Sequence, residues 1–376
     1  MTRTGASTQT DGSAYRPEFI LVEREVESLP MSVRIRERLP EVPFLPVDRV
    51  DSWLSEVGNS RDPLRAGKKI LYLTRHQGQV LKTCQGMCAH VSCCLYHVVD
   101  FACNCPLDCS YCLLQNYLNH PLIRVYVNTE EMLQELEGRL QRLGSTVLRV
   151  GTGELTDSLA LDRYTLLSGE LVPLFARYPT AALELKTKTA EIDSLGRLEH
   201  RGRTVISWSL NTPRMIAGEE WGASRLEERL LAARRCSDWG YPVGFHFDPL
   251  VWYAGWESEY RETVQQMFDI VGPGRIAWIS LGAFRGPAGL LDTVRERFPD
   301  STLPLGELLP GVDGKLRYFR PLRVEMFRKM VGWIRAVRPA QTVYLCMESP
   351  RVWEQVFGFR ATTADVGRLL DAAVLP

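Results

Sequence analysis

The chain has 376 residues, with 45 Lys+Arg against 45 Asp+Glu, 45% hydrophobic and 24% charged residues. A chain of this size buries a sizeable core without disulfide staples. Its zero net charge excludes a protein that coats nucleic acid through overall charge, leaving only a local basic groove open.

The N-terminus (Met1 to Thr10) has no apolar signal-peptide core, and no stretch approaches the roughly 18 apolar residues of a membrane span. A reducing cytoplasm is therefore expected, with no membrane partner. Residues 1–15 read as a disordered Ser/Thr/Gly tail, and 16–95 as an N-terminal extension with a Cys-rich segment and a Pro-punctuated connector at Pro40, Pro43 and Pro46. Leu71–Thr74 reads as a short strand.

From residue 97 strands and helices alternate. Expected strands are His97–Phe101, Val147–Val150, Ala182–Lys186, Thr204–Leu210, Tyr241–Phe247, Ile276–Leu281 and Val343–Cys346. Expected helices are Glu130–Leu143 with Thr129 as N-cap, Tyr164–Tyr178, Arg225–Trp239, Ser258–Val271 and Val324–Val337, with a last one from Ala364. Alternating β and α with doubly buried strands predicts a parallel sheet of about six units, a partial (β/α)6 TIM-like barrel. The barrel and its substrate region are expected over 96–350, and a C-terminal helix over 351–376.

Eight of the 10 cysteines lie between Cys84 and Cys112. In a chain that needs no disulfide framework, such a cluster reads as metal or iron–sulfur ligation. Cys105, Cys109 and Cys112 form C-x3-C-x2-C directly after a strand. Three thiolates hold three irons of a [4Fe–4S] cluster and leave the fourth open to chemistry. A structural zinc loop is the alternative, although zinc favours two separated CxxC knuckles. Upstream, Cys84, Cys88, Cys93 and Cys94 offer a possible second metal or Fe–S site. Adjacent Cys93 and Cys94 point apart in extended chain, so a distant thiol such as Cys346 enters an alternative set. Ordinary buried thiols are the other reading.

The Cys motif, with Tyr111 immediately before the third Cys, resembles the radical S-adenosylmethionine (SAM) superfamily. The stretch Cys109-Ser110-Tyr111-Cys112-Leu113-Leu114-Gln115, followed by Pro121 to Asn128, Lys186-Thr187-Lys188, Ser209-Leu210-Asn211 and Gly255-Trp256-Glu257, is similar to spore photoproduct lyases. The resemblance implies a barrel of the radical SAM type and cleavage of SAM to a 5′-deoxyadenosyl radical. It also implies a damaged pyrimidine in DNA as substrate and an electron donor such as flavodoxin or ferredoxin. It places Gly151, Gly153 and Glu154 at the SAM amino group, Lys188 at the SAM carboxylate with Lys186 as competitor, and Ser209 and Asn211 at the ribose. Tyr111 would sit against the cluster or relay an electron. Two departures stand out. Leu113 replaces a tyrosine of the family pattern, and the family's hydrogen-donor cysteine maps to the region of Gly151. Cys346, at a strand end facing the expected site, is the replacement candidate as donor or cluster ligand.

Between Lys315 and Arg338 eight basic residues face one acid, Glu325. Arg317, Arg320 and Arg323 are the candidates for substrate phosphates, while the second half of the run also reads as a solvated amphipathic helix. Other readings keep the radical chemistry on a modified nucleotide, RNA or peptide, or make the chain a non-enzymatic metal-stabilised DNA-binding protein.

Overall fold

The computed structural model describes residues 15–84 and 90–375. Its strands, in chain order, begin with β1 (Phe19–Glu23), β2 (Phe44–Val47), β3 (Ile70–Thr74), β4 (Leu81–Thr83), β5 (His97–Val99), β6 (Ala102–Cys103), β7 (Asp108–Cys109), β8 (Ile123–Tyr126) and β9 (Leu148–Gly151). They continue with β10 (Ala181–Thr187), β11 (Thr204–Ser209), β12 (Glu220–Trp221), β13 (Val243–Leu250), β14 (Ile276–Ala283), β15 (Arg285–Gly286), β16 (Leu309–Pro310), β17 (Leu316–Arg317) and β18 (Val343–Leu345).

The main sheet has the order β18-β14-β13-β11-β10-β9-β5-β4. Every pair from β5 to β18 is parallel, and β4 closes the edge antiparallel. This is the expected partial barrel, with one more parallel strand than the six units read from the sequence. Its strands are buried on both faces: β11 is buried throughout and so is β13 except at Asp248. Fully covered parallel strands lose the period-two alternation, which is why they read as continuous apolar runs.

A second sheet, β2-β1-β3-β8-β6, was not expected as a unit. It joins segments before and after residue 96, since β3 pairs in parallel with β8. The Pro-rich connector contains β2, in which Pro46 is tolerated because the strand lies at the sheet edge. The Ile20, Val22, Leu71 and Leu73 side chains of this sheet pack on Met31 and Ile35 of the Pro30–Arg38 helix and reach Leu161 and Tyr164.

Three helix expectations shift. Tyr164–Tyr178 is broken at Leu166, which takes a left-handed conformation (φ 50°), giving Asp162–Thr165 and Ser168–Ala176. Asp162 holds the break by accepting from the Ser168 amide (2.9 Å) and hydroxyl (2.5 Å). The N-cap of Thr129–Gln141 is Asn128 rather than Thr129. The C-terminal segment holds two helices, Pro350–Phe357 and Thr363–Val374.

Candidate active site at the open mouth of the barrel

The Cys loop is fixed from several sides. Asn104, in the left-handed region (φ 69°), accepts from the Cys105 amide and donates to the Pro121 carbonyl. Lys68 donates to the Cys105 carbonyl at 2.9 Å and to that of Leu107. Asp108 pairs with Arg297 at 3.0 Å and with Lys68 at 3.4 Å. Burial alone would raise the Asp108 pKa, but Lys68, Arg297 and Arg65 outweigh it and lower it. β7 pairs antiparallel with β12, setting Cys109 opposite Glu220. Gln115 donates to the Ser110 carbonyl at 2.7 Å and to that of Cys112 at 3.2 Å.

Beneath the loop lies a charged group that sequence reasoning missed. Glu220 is fully buried and accepts from Arg229 at 2.5 Å, from Lys188 at 3.1 Å and from the Tyr111 hydroxyl. Burial alone would push its carboxyl up, yet Arg229 and Lys188 hold it at about 2. The Lys188 ammonium also lies 5.5 Å from the centre of the Tyr111 ring. Tyr111 is thereby locked beside the three thiols.

Cys105, Cys109 and Cys112 line one cavity of about 220 Å³ together with Tyr111, Gly153, Glu154, Lys186, Lys188 and Ser209. Burial pushes the Cys105 thiol up to about 12 and Cys109 well above its ordinary range. Buried thiols of this kind become thiolates only against a cation, which an iron–sulfur cluster supplies. Among the described residues no three His, Cys, Asp or Glu side chains converge as a single-ion site requires.

A second cavity, about 520 Å³, opens beside the first and shares Leu113, Leu114, Gly153, Glu154, Lys186 and Ser209 with it. Its far wall carries Cys84, Cys93, Cys94, Tyr96 and Cys346. Pairing of Ser92 with Glu348 draws the Cys93–Cys94 loop onto the end of β18. Cys93 and Cys94 share a hydrogen bond that lowers the Cys93 pKa and raises that of Cys94. Burial and the neighbouring Asp248 carboxylate push Cys346 up to about 12. Cys88 lies outside the described residues. The same cavity holds two close contacts that the sequence did not reveal, a Glu184–His246 hydrogen bond at 2.7 Å and an Asp248–Arg285 ion pair at 3.0 Å.

Several sequence-based assignments change. Gly151 lines neither cavity. A Cβ built there would fall on the Tyr96 hydroxyl, so its lack of a side chain makes room for that ring. Gly153 does line both cavities, and a Cβ there would come within 3.0 Å of Ser158 and 3.2 Å of Lys186. Asn211 is fully buried and lines neither cavity. It donates to the Pro249 carbonyl at 3.1 Å and accepts from the Tyr260 hydroxyl at 2.6 Å. It therefore braces the barrel instead of meeting a ribose, whereas Ser209 stays in the cavity wall. Asp157 accepts from the Lys188 amide (2.7 Å) and the Thr187 hydroxyl (2.8 Å), which positions Lys188.

Three of the eight basic residues in this run meet acids within the fold. Arg317 pairs with Asp313 at 2.5 Å, and buried Arg323 pairs with Glu348 at 2.8 Å, so neither is presented to a phosphate. Lys329 pairs with Glu257 and Glu325. Arg320 is exposed but lines neither cavity. From this run it is Lys315 that reaches the larger cavity. Trp256 and Tyr253 are packed against Tyr260, while Trp252 is exposed and lines neither cavity.

An open parallel barrel whose strand ends carry three thiols and a Gly–Glu turn is the architecture of a radical SAM protein. The family model "Spore photoproduct lyase" matches residues 85–305, more than half of the chain. The chain belongs to the spore photoproduct lyase family. It is 30% identical over 172 residues to a spore photoproduct lyase of Bacillus subtilis (strain 168), covering 46% of this chain and 50% of that protein. It is 24% identical over 204 residues to one of Clostridium acetobutylicum, covering 54% and 60%. The chain thus matches only about half to three fifths of the length of these relatives. A solved spore photoproduct lyase complexed with dinucleoside spore photoproduct superposes with a TM-score of 0.79 at 21% identity, covering 89% of this chain and all of the other. A variant of it with bound AdoMet and dinucleoside spore photoproduct gives 0.77. At that identity the likeness concerns the fold. Among the described residues no helix is long and apolar enough to cross a membrane.

Proposed function

We propose that this chain is a radical SAM enzyme that repairs a UV-type pyrimidine lesion in DNA, as the names of its relatives suggest. The observation that carries the reading is the shared cavity of Cys105, Cys109 and Cys112 with Gly153, Glu154, Lys188 and Ser209. In this reading the three thiolates hold a [4Fe–4S] cluster. Such a cluster, when bound with SAM and reduced, supplies a 5′-deoxyadenosyl radical.

The chain's own residues do the rest. Glu154 meets the SAM ammonium and Lys188 its carboxylate. The carboxylate of Glu220 is shared between two cations, so the site keeps a positive charge for an anion. Ser209 meets the ribose, and Tyr111 is held against the cluster. The larger cavity receives the lesion, and Leu113 and Leu114 on the shared wall keep water from the path between the two. Cys346, a thiol in that cavity, is placed as the hydrogen donor. A low-potential flavodoxin or ferredoxin in a reducing cytoplasm would deliver the electron. A second metal would draw on Cys84, Cys88, Cys93 and Cys94, or on a set that includes Cys346. Iron and zinc counts on a variant lacking Cys105, Cys109 and Cys112 decide that point.

The test is SAM cleavage by the reduced anaerobic protein with and without UV-irradiated DNA. Release of 5′-deoxyadenosine that rises with irradiated DNA supports the reading. Cleavage indifferent to DNA points to another substrate, and absence of cleavage points to a binding protein.

A further inference from the structure

Strand β10 and the residue that follows it carry three ionisable residues at alternate positions, Glu184, Lys186 and Lys188, which the pleat turns to one face. Two of them have partners. Glu184 is bound to His246 at 2.7 Å and to the Ser207 hydroxyl at 2.6 Å. Lys188 is bound to Glu220 at 3.1 Å. Lys186, between them, lines both cavities; its charge acts on Glu184, Asp248 and Cys346 around it, but none of these acids forms a close ion pair with its ammonium. On the substrate side, Asp248 already has both oxygens on Arg285 at 3.0 Å. Lys315, from the turn between β16 and β17, also lines the larger cavity, and its ammonium has no hydrogen bond or ion pair among the described residues. A lysine in a cleft of partly excluded water is a compact point charge with donors to give, and it suits a phosphate oxygen.

We propose that Lys186 binds a phosphodiester oxygen of the substrate strand at the junction of the two cavities, with Lys315 holding the same backbone. The inference rests on the DNA-lesion reading above and adds to it the group that anchors the strand. It also replaces Arg317, Arg320 and Arg323 in that role. Anchoring at the junction would fix the lesion against the cluster side of the cavity, where a displacement of an ångström matters for hydrogen abstraction.

The test compares equilibrium binding of three ligands: the dinucleotide spore photoproduct, which keeps its internal phosphodiester, the dinucleoside form, which lacks it, and the dinucleoside with a single 5′-phosphate. A charge-assisted contact of this kind predicts a preference of ~10-fold for the dinucleotide over the dinucleoside. Lys186→Met should bring that ratio close to one with dinucleoside affinity kept, and Lys186→Arg should retain most of it. Lys315→Met should narrow the ratio less. Equal binding of the two forms by the unaltered protein overturns the proposal alone, as does a preference that survives in Lys186→Met. A preference reproduced by the 5′-phosphate assigns the lysine to a nucleotide end and overturns the phosphodiester. Loss of SAM affinity in Lys186→Met would make Lys186 a cofactor residue and overturn it too. Binding of none of the three ligands overturns the lesion reading and this inference with it.

Discussion

Replacing Glu220 by Gln tests whether the buried charge group beneath the Cys loop organises the site. Glu220 and Arg229 are both fully buried and 2.5 Å apart, and Lys188 adds a third charge at 3.1 Å with 15% exposure. At an effective dielectric of about 20 the closer pair attracts with roughly 7 kcal/mol, most of it offset by the desolvation of both groups. Deleting one partner leaves the other buried and uncompensated, at a cost of ~3–5 kcal/mol. Gln keeps an acceptor for Arg229 and Tyr111, so the lower end applies, about 3 kcal/mol. Urea unfolding of the metal-free protein measures it, read from the midpoint at constant slope. Combining Glu220→Gln with Arg229→Met removes the orphaned cation and should recover at least about 1 kcal/mol. A loss below about 1 kcal/mol in the single variant would refute the reasoning, and so would a double variant no better than the single one.

Gly151→Ala should cost ~1–3 kcal/mol, because its methyl group meets the Tyr96 ring, and Tyr96→Ala should suppress that cost in a double-variant cycle. Asn211→Ala should lower the unfolding midpoint with SAM affinity unchanged, and isothermal titration would expose the opposite pattern if Asn211 were a ribose ligand. Acid stability gives another check. Burial would raise the Glu184 pKa, but His246 and Lys186 hold it at about 2, below the ordinary 4.5. A depressed carboxylate stabilises fully above pH 4.5 and loses that contribution as the pH falls towards 2. Stability followed by circular dichroism between pH 5 and roughly 3 should therefore fall less steeply in Glu184→Gln than in the unaltered protein.

The barrel was legible because its parallel strands are short apolar runs separated by amphipathic helices. The N-terminal sheet was not, since β1, β2 and β3 pair across long sequence gaps and one strand contains proline. Within the site, the local signals survived. The Cys spacing, Gly153–Glu154, Lys188 and Ser209 each sit in or beside a recognisable turn after a strand, and the structure gathers them in one cavity. What failed depended on partners remote in sequence. Nothing near Asn211 announces Pro249 and Tyr260, and nothing near Arg323 announces Glu348. A run of basic residues reads the same whether its charges face a polyanion or are matched by acids elsewhere in the fold. Glu220 was missed for the same reason, since its importance lies in Arg229, Lys188 and Tyr111 meeting it.

The central claim is that the three thiols and the SAM-binding residues form one reaction site with the larger cavity. It is tested most directly by incubating the reduced, iron-loaded protein with SAM and DNA containing spore photoproduct, and following lesion and thymine by mass spectrometry. The account predicts conversion of lesion to thymine that requires SAM and is abolished by Cys109→Ala. Lesion left intact while 5′-deoxyadenosine accumulates at the same rate with undamaged DNA would contradict it.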